Sequence, residues 1–129
     1  MNFLWLAAGG IVGVSLRYLL ASAINERATG GFPWGTLAVN LSGMFVAGIF
    51  AAVAERWPVP PEIRLFALIG LLGGFTTFSS FGLETFALAR DGQYLYAALN
   101  VVISNLAGLA LVAGGYFLAR HLIGVLRGG

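Results

Sequence analysis

Four long apolar stretches limit this chain to a small set of folds. They cover residues 3–24, 35–54, 63–90 and 94–119, with polar segments that carry glycine and proline between them. About 20 consecutive apolar residues suffice to cross a bilayer as an α-helix. The chain is 59% hydrophobic and 9% charged, whereas a soluble domain carries about 25% charged residues. The apolar surplus exceeds what one small core can bury, so the sequence predicts a single all-α membrane domain, residues 1–129, with four transmembrane helices.

The polar residues exclude several classes of function. Cysteine is absent, which excludes disulfides and thiolate metal sites. Seven arginines and five acidic residues are spread along the chain and give a net charge of +2, without a basic patch for nucleic acid. The sequence contains no metal-ligand cluster, no Ser/His/Asp arrangement and no phosphate-binding loop. We therefore expect that the protein is not an enzyme.

The third apolar stretch is not typical of a plain spanning helix. Glycine pairs disfavour helix, and threonine and serine side chains compete for backbone hydrogen bonds. Non-helical backbone and ionisable groups persist within a membrane only where they are buried in protein or line a watery path. We predict a helix that is broken near 74–78 at an ion or substrate site. The residues behind this prediction are Gly73-Gly74, Thr76-Thr77, Ser79-Ser80 and Glu84.

The segment after the predicted break places polar and aromatic side chains side by side. Phe78 and Phe81 are three residues apart, as are Thr77 and Ser80, so each pair lies on a common helical face. Glu84 follows Ser80 by one turn. Phenylalanine in a membrane helix usually packs against lipid or the core. Its alternation here with hydroxyl groups and a carboxyl group favours a conduit.

Two polar residues in the first half of the chain are each open to two interpretations. Arg17 either extends to the membrane interface beside Tyr18 or lies at a pore mouth or partner contact. Asn40 either hydrogen-bonds to another helix or presents its amide to a passing anion.

The fourth stretch carries a stripe of polar and small residues. Asn100, Ser104 and Gly108 recur every four residues, with Asn105 beside them. This stripe either packs against another helix or lines a conduit.

The distribution of arginine gives little preference for one orientation in the membrane. With four spans, one side carries Arg56, Arg64, Arg120 and Arg127. The other carries Arg27 and Arg90, plus Arg17 if its side chain extends outward to the interface. Positive charge normally accumulates on the cytoplasmic side. A chain with so little bias can insert both ways, and two opposite copies can form an antiparallel dimer. Because four short helices enclose little volume, we expect a polar path between two copies.

These residues together resemble a known family. The resemblance extends over essentially the whole chain and is strongest in the Gly-Gly-x-Thr-Thr-Phe-Ser-x-Phe run. The chain resembles the Fluc/CrcB fluoride-specific ion channels in Gly13, Arg17-Tyr18, Gly35-Thr36-Leu37, Val39-Asn40, Gly43, the run 73–81 and Glu84. The resemblance implies a dual-topology homodimer in the bacterial cytoplasmic (inner) membrane, with two antiparallel pores that export fluoride passively.

The resemblance also implies roles for individual residues. It assigns the pore amide to Asn40 and the aromatic lining to Phe78 and Phe81. It assigns a polar track to Thr77 and Ser80, with Glu84 near its end and Arg17 near a pore mouth. A structural sodium ion at the dimer centre would bind the backbone carbonyls of Gly73 and Thr76.

In the fourth helix, the chain departs in part from the family pattern. The family commonly has a tyrosine at the position of Asn100 and a serine at that of Ser104, and some members have a hydroxyl at that of Gly108. We expect Asn100 and Ser104 to supply donors to the pore.

Two other functions are compatible with four short membrane helices. A proton-coupled cation or multidrug exporter shares the size and the dual topology, but it requires a membrane-buried carboxylate. The first span has none, and Glu84 lies in the third. A membrane-assembly protein without transport activity would conduct no ions and would tolerate substitution at Asn40 or Phe78.

Overall fold

A computed structural model describes residues 1–128 of the chain. Helix α1 covers Asn2–Asn25, α2 covers Trp34–Arg56, and the last helix covers Tyr94–Gly128. Between α2 and the last helix, an interrupted helical segment covers Pro61–Arg90. All four are long and apolar enough to cross a membrane. The prediction of an all-α chain with four such helices is confirmed.

The third helical segment changes its winding twice. It begins as a single turn, α3 (Pro61–Arg64), and continues as a π-helix over Leu65–Leu72. It returns to α-helical geometry in α4 (Gly73–Phe75) and resumes after a break as α5 (Phe78–Arg90). A π-helix of this length is rare, and such segments frequently occur at functional sites.

The break between α4 and α5 consists of two extended residues. Thr76 has φ −76° and ψ 155°, and Thr77 has φ −147° and ψ 109°. Both conformations lie in the β region, where the i→i−4 ladder cannot continue. Thr77 then caps α5, because its Oγ1 accepts a hydrogen bond of 3.2 Å from the backbone N–H of Ser80. The two extended residues lie inside the range 74–78.

Helix α1 packs closely against the first half of the third segment. A Cβ atom on Gly9 would overlap the carbonyl oxygen of Phe66, and one on Gly13 would overlap that of Leu71. Small residues at i and i+4 let two helix backbones approach to this distance. The first half of the third segment is therefore held by backbone contact with α1.

Helix α2 packs most extensively against the last helix, α6 (Tyr94–Gly128). Gly48 of α2 lies against the carbonyl oxygen of Val112, and Gly115 lies against that of Phe45. With 35 residues, α6 is roughly 50 Å long at 1.5 Å per residue. It continues beyond residue 119, the predicted end of the fourth span, through Arg120 and His121 and the apolar residues 122–126.

Candidate functional site

Asn40 hydrogen-bonds to the backbone at the break in the third segment. Its Nδ2 donates a 3.0 Å hydrogen bond to the carbonyl oxygen of Thr77. Its Oδ1 accepts a 2.7 Å hydrogen bond from the N–H of the same residue. One side-chain amide on α2 thus replaces the acceptor that the N–H of Thr77 loses by leaving the helix, and it adds a donor to the Thr77 carbonyl oxygen. The interhelical hydrogen bond considered for Asn40 is present, and its second N–H stays available for another acceptor.

The same rearrangement frees the carbonyl oxygens of Gly73 and Thr76. In a continuous helix these would accept from the N–H groups of Thr77 and Ser80. Those N–H groups donate instead to the side chains of Asn40 and Thr77. Nη1 of Arg17 lies 3.4 Å from the Thr76 oxygen, a long hydrogen bond. The two residues predicted to bind sodium therefore present carbonyl oxygens outside the helical ladder.

A cavity of about 300 Å³, here called the aromatic cavity, lies beside the break. Its two phenyl rings belong to Phe78 and Phe81, with centroids 5.4 Å apart and ring planes at 32°. Phe78 is 83% exposed in the single chain, so this cavity is open on one side. The lining residues are Asn40, Met44, Thr76, Thr77, Phe78, Phe81, Ser104, Asn105 and Leu109.

A second cavity, of about 410 Å³ and here called the polar cavity, lies on the other side of Thr77. Thr77 lines both cavities, and its Oγ1 donates a 3.0 Å hydrogen bond to the hydroxyl of Ser80. The predicted residues Arg17, Ser80 and Glu84 all line this second cavity. The structure thus brings together the residues assigned to the polar track.

Glu84 lies between the polar cavity and a smaller cavity of about 190 Å³, since it lines both. Its Oε1 accepts a 2.7 Å hydrogen bond from the hydroxyl of Thr36. Within residues 1–128, its Oε2 is buried and has no hydrogen-bond partner. Sequence reasoning missed Thr36 as the partner of this carboxyl group, because the two residues are 48 positions apart.

Within the stripe on α6, Asn100 packs against another helix and Ser104 lines a cavity. Asn100 is only 1% exposed, and its Nδ2 donates a 2.9 Å hydrogen bond to Oγ1 of Thr85. It connects α6 to α5 and does not line the aromatic or polar cavity. Ser104 does line the aromatic cavity, and its hydroxyl donates a long 3.4 Å hydrogen bond to Oδ1 of Asn100.

Comparison with known proteins identifies the family of this chain. The family model described as "CrcB-like protein, Camphor Resistance (CrcB)" matches residues 4–116. The chain belongs to the CrcB family. The resemblance inferred from its motifs is confirmed.

Relatives within the CrcB family match the chain along most of its length. A protein of Helicobacter pylori (strain HPAG1), named "Fluoride-specific ion channel FluC", is 44% identical over 125 residues, which are 95% of this chain and 96% of that protein. A protein of the same name from Rhodospirillum rubrum is 48% identical over 107 residues, or 81% and 83% of the two chains. These relatives are named as channels, in agreement with the prediction that the chain is not an enzyme. With four helices able to span a membrane, this CrcB protein is a multi-pass membrane protein.

Proposed function

We propose that this chain is a fluoride-selective passive channel of the bacterial inner membrane, which releases fluoride from the cytoplasm. The observation that carries the proposal is the aromatic cavity, where two phenyl rings lie beside amide and hydroxyl groups at a helix break. Relatives at 44% and 48% identity are named fluoride-specific ion channels.

The chemistry of this cavity suits a small anion. Fluoride is strongly hydrated, so a pore must replace many water donors at once. Selectivity in filters depends on the number of ligating groups and on pore width. The amide of Asn40 supplies a conventional N–H donor, and the hydroxyl groups of Thr77 and Ser104 add polar lining. The ring edges of Phe78 and Phe81 carry the positive part of the aromatic quadrupole and add further positive potential.

The open cavities support an antiparallel homodimer as the functional unit. Phe78 is 83% exposed in one chain, although a phenyl ring that lines a pore needs a second wall. The even distribution of arginines allows both orientations in the membrane. Two inverted copies would place their breaks together and give each path side chains from both subunits.

A sodium ion at the dimer centre fits the freed carbonyls. Gly73 and Thr76 present backbone oxygens outside the helical ladder, and unwound carbonyls at a half-helix end are ligands for sodium. The ion would supply a fixed positive charge that favours anions nearby. Arg17 approaches the same Thr76 oxygen at 3.4 Å, so its guanidinium would turn away when the ion binds.

Passive flow is sufficient for fluoride export. Hydrogen fluoride enters a cell as a neutral weak acid and dissociates in the near-neutral cytoplasm, which traps the anion. An inside-negative potential favours exit of an anion by ~2.3 kcal/mol per 100 mV. No coupling ion or nucleotide is required.

One observation favours a second candidate, a proton-coupled cation exporter. Such a transporter needs a carboxyl group within the membrane, and Glu84 is a partly buried carboxyl whose Oε2 has no partner within residues 1–128. This candidate predicts uptake of a cationic dye into vesicles, driven by a proton gradient. It gives no role to the phenyl pair.

Efflux from liposomes tests these candidates together. The purified chain is reconstituted in liposomes loaded with fluoride or with chloride, and the released anion is followed with ion-selective electrodes after a potassium ionophore is added. We expect rapid fluoride release and negligible chloride release, with protein-free liposomes as the control. Equal release of both anions, or dye uptake without fluoride release, would overturn the proposal.

A further inference from the structure

Asn105 is an exposed polar residue on α6 among exposed apolar residues. Its side chain is exposed on the surface of a helix able to span a membrane. Neighbouring residues on this helix are large and apolar: Val102 is 49% exposed, Leu106 is 67% exposed and Leu109 is 64% exposed. A carboxamide that faces hydrocarbon leaves polar groups without partners, which is unfavourable. Its position therefore indicates a polar neighbour that a single chain does not supply.

The hydrogen-bond capacity of Asn105 is only partly used. Its Nδ2 donates a 2.7 Å hydrogen bond to the carbonyl oxygen of Val101, one turn earlier. An amide nitrogen has two donor hydrogens, so one N–H stays available. Asn105 lines the aromatic cavity together with Phe78, Phe81 and Ser104.

The hydroxyl groups of the same cavity are already engaged as donors. Thr76 Oγ1 donates to the carbonyl oxygen of Leu72, Thr77 Oγ1 donates to Ser80, and Ser104 Oγ donates to Asn100. A hydroxyl has a single proton to donate. The side-chain N–H groups left over in the described lining of this cavity belong to the two amides, Asn40 and Asn105. They lie on different helices, α2 and α6.

The next turn of α6 offers no alternative donor on this side. Gly108 has no side chain, and a Cβ atom there would overlap the sulfur of Met44. Met44 therefore fills the space beside Gly108 with an apolar group. Leu109, which follows, is apolar and also lines the cavity.

We propose that Asn105 supplies the second side-chain amide donor of the anion path, so that α2 and α6 each present one carboxamide N–H beside the phenyl pair. This inference rests on the proposed fluoride-channel function. It assigns the donor of α6 to Asn105, whereas the buried Asn100 holds α6 against α5.

Fluoride efflux from liposomes that contain Asn105→Leu tests the proposal. We expect the initial rate to fall about tenfold, which corresponds to ~1.4 kcal/mol, and the half-saturating fluoride concentration to rise. Asn105→Gln keeps the amide and should retain most of the flux. Leu106→Val, an exposed neighbour outside the aromatic and polar cavities, is the matched control and should conduct like the unaltered chain.

Assembly is measured in parallel by size-exclusion chromatography. Leucine at an exposed apolar position should not impair folding, so Asn105→Leu should elute like the unaltered chain; Asn105→Met is the second apolar variant if it does not. Flux of both apolar variants within about twofold of the unaltered chain would overturn the proposal. So would loss of assembly in Leu, Met and Gln variants alike, because the amide would then serve packing. An unaltered chain that releases no fluoride would refute the proposed function itself.

Discussion

The two halves of the third helical segment differ in what surrounds them. The first half, from α3 to α4, packs against α1 at backbone distance through Gly9 and Gly13. The second half, α5, packs mainly against α6, and its residues Phe78 and Phe81 line a cavity. The break therefore separates two halves with different roles. The anchoring half, from α3 to α4, holds the fold together, and the presenting half, α5, places side chains beside open space. Stability and ion flux should respond to substitution in different halves.

The break itself joins the two halves and should be the most sensitive point. Asn40→Leu would leave the N–H of Thr77 without its partner and would remove one donor from its carbonyl oxygen. A buried, unpaired N–H costs ~1–3 kcal/mol and a lost hydrogen bond ~0.5–1.5 kcal/mol, so we expect the free energy of unfolding to fall by ~1.5–4.5 kcal/mol and fluoride flux to be lost. Thermal denaturation in detergent, followed by circular dichroism, measures the first effect. Ser42→Ala on the same helix is the control, since the Ser42 hydroxyl donates, among the described residues, to the carbonyl oxygen of Val39 in its own helix. Equal melting temperatures of the two variants would contradict the role of Asn40.

Substitution in the anchoring half should lower stability and leave the path intact. Gly9→Ala places a methyl group against the carbonyl of Phe66, and such overpacking costs ~1–3 kcal/mol. Gly10→Ala is a matched control, because a Cβ at Gly10 would have no neighbour within 4 Å in the part of the chain that the structure describes. We expect a lower denaturation temperature for the first variant only. Flux per folded protein should stay unchanged, and a selective loss of flux would show that the anchoring half takes part in conduction.

Substitution in the presenting half should lower ion flux and leave stability nearly unchanged. Phe81→Ile removes a ring edge from the aromatic cavity, and we expect fluoride efflux to fall at least about tenfold, or ~1.4 kcal/mol in the barrier. The denaturation temperature should change little. Phe86→Ile replaces an exposed phenylalanine of α5 that lies outside the aromatic and polar cavities. If both variants conduct alike, the phenyl ring of Phe81 does not contribute to fluoride conduction.

Local signals in the sequence account for much of this arrangement. Apolar length alone predicted four helices, and the glycine, threonine and serine pairs pointed to the region of Thr76 and Thr77. The contacts that hold the break were beyond such reasoning, because Asn40 and Thr77 are 37 residues apart. The π-helix over Leu65–Leu72 has no distinctive local signal, since all of its residues but one glycine and one alanine are large and apolar.

The candidate site illustrates the same limit. A four-residue repeat cannot distinguish a residue that packs from one that lines a cavity, and Asn100 and Ser104 share a repeat but differ in surroundings. Asn105 was noted beside this stripe without a role. Its role could be inferred only once α6 was placed beside the phenyl pair.

The smallest effect should come from the link between Thr36 and Glu84 in the polar cavity. Thr36→Val keeps the shape of the side chain but removes the 2.7 Å hydrogen bond to Glu84. If water enters the cavity, it can replace the lost donor, so we expect a change of only ~0.5–1.5 kcal/mol in thermal stability, with Thr36→Ser unchanged. A loss as large as that of Asn40→Leu would mean that the carboxyl group is dry. In that case the polar cavity would not hold water, and the ion path would be limited to the aromatic cavity.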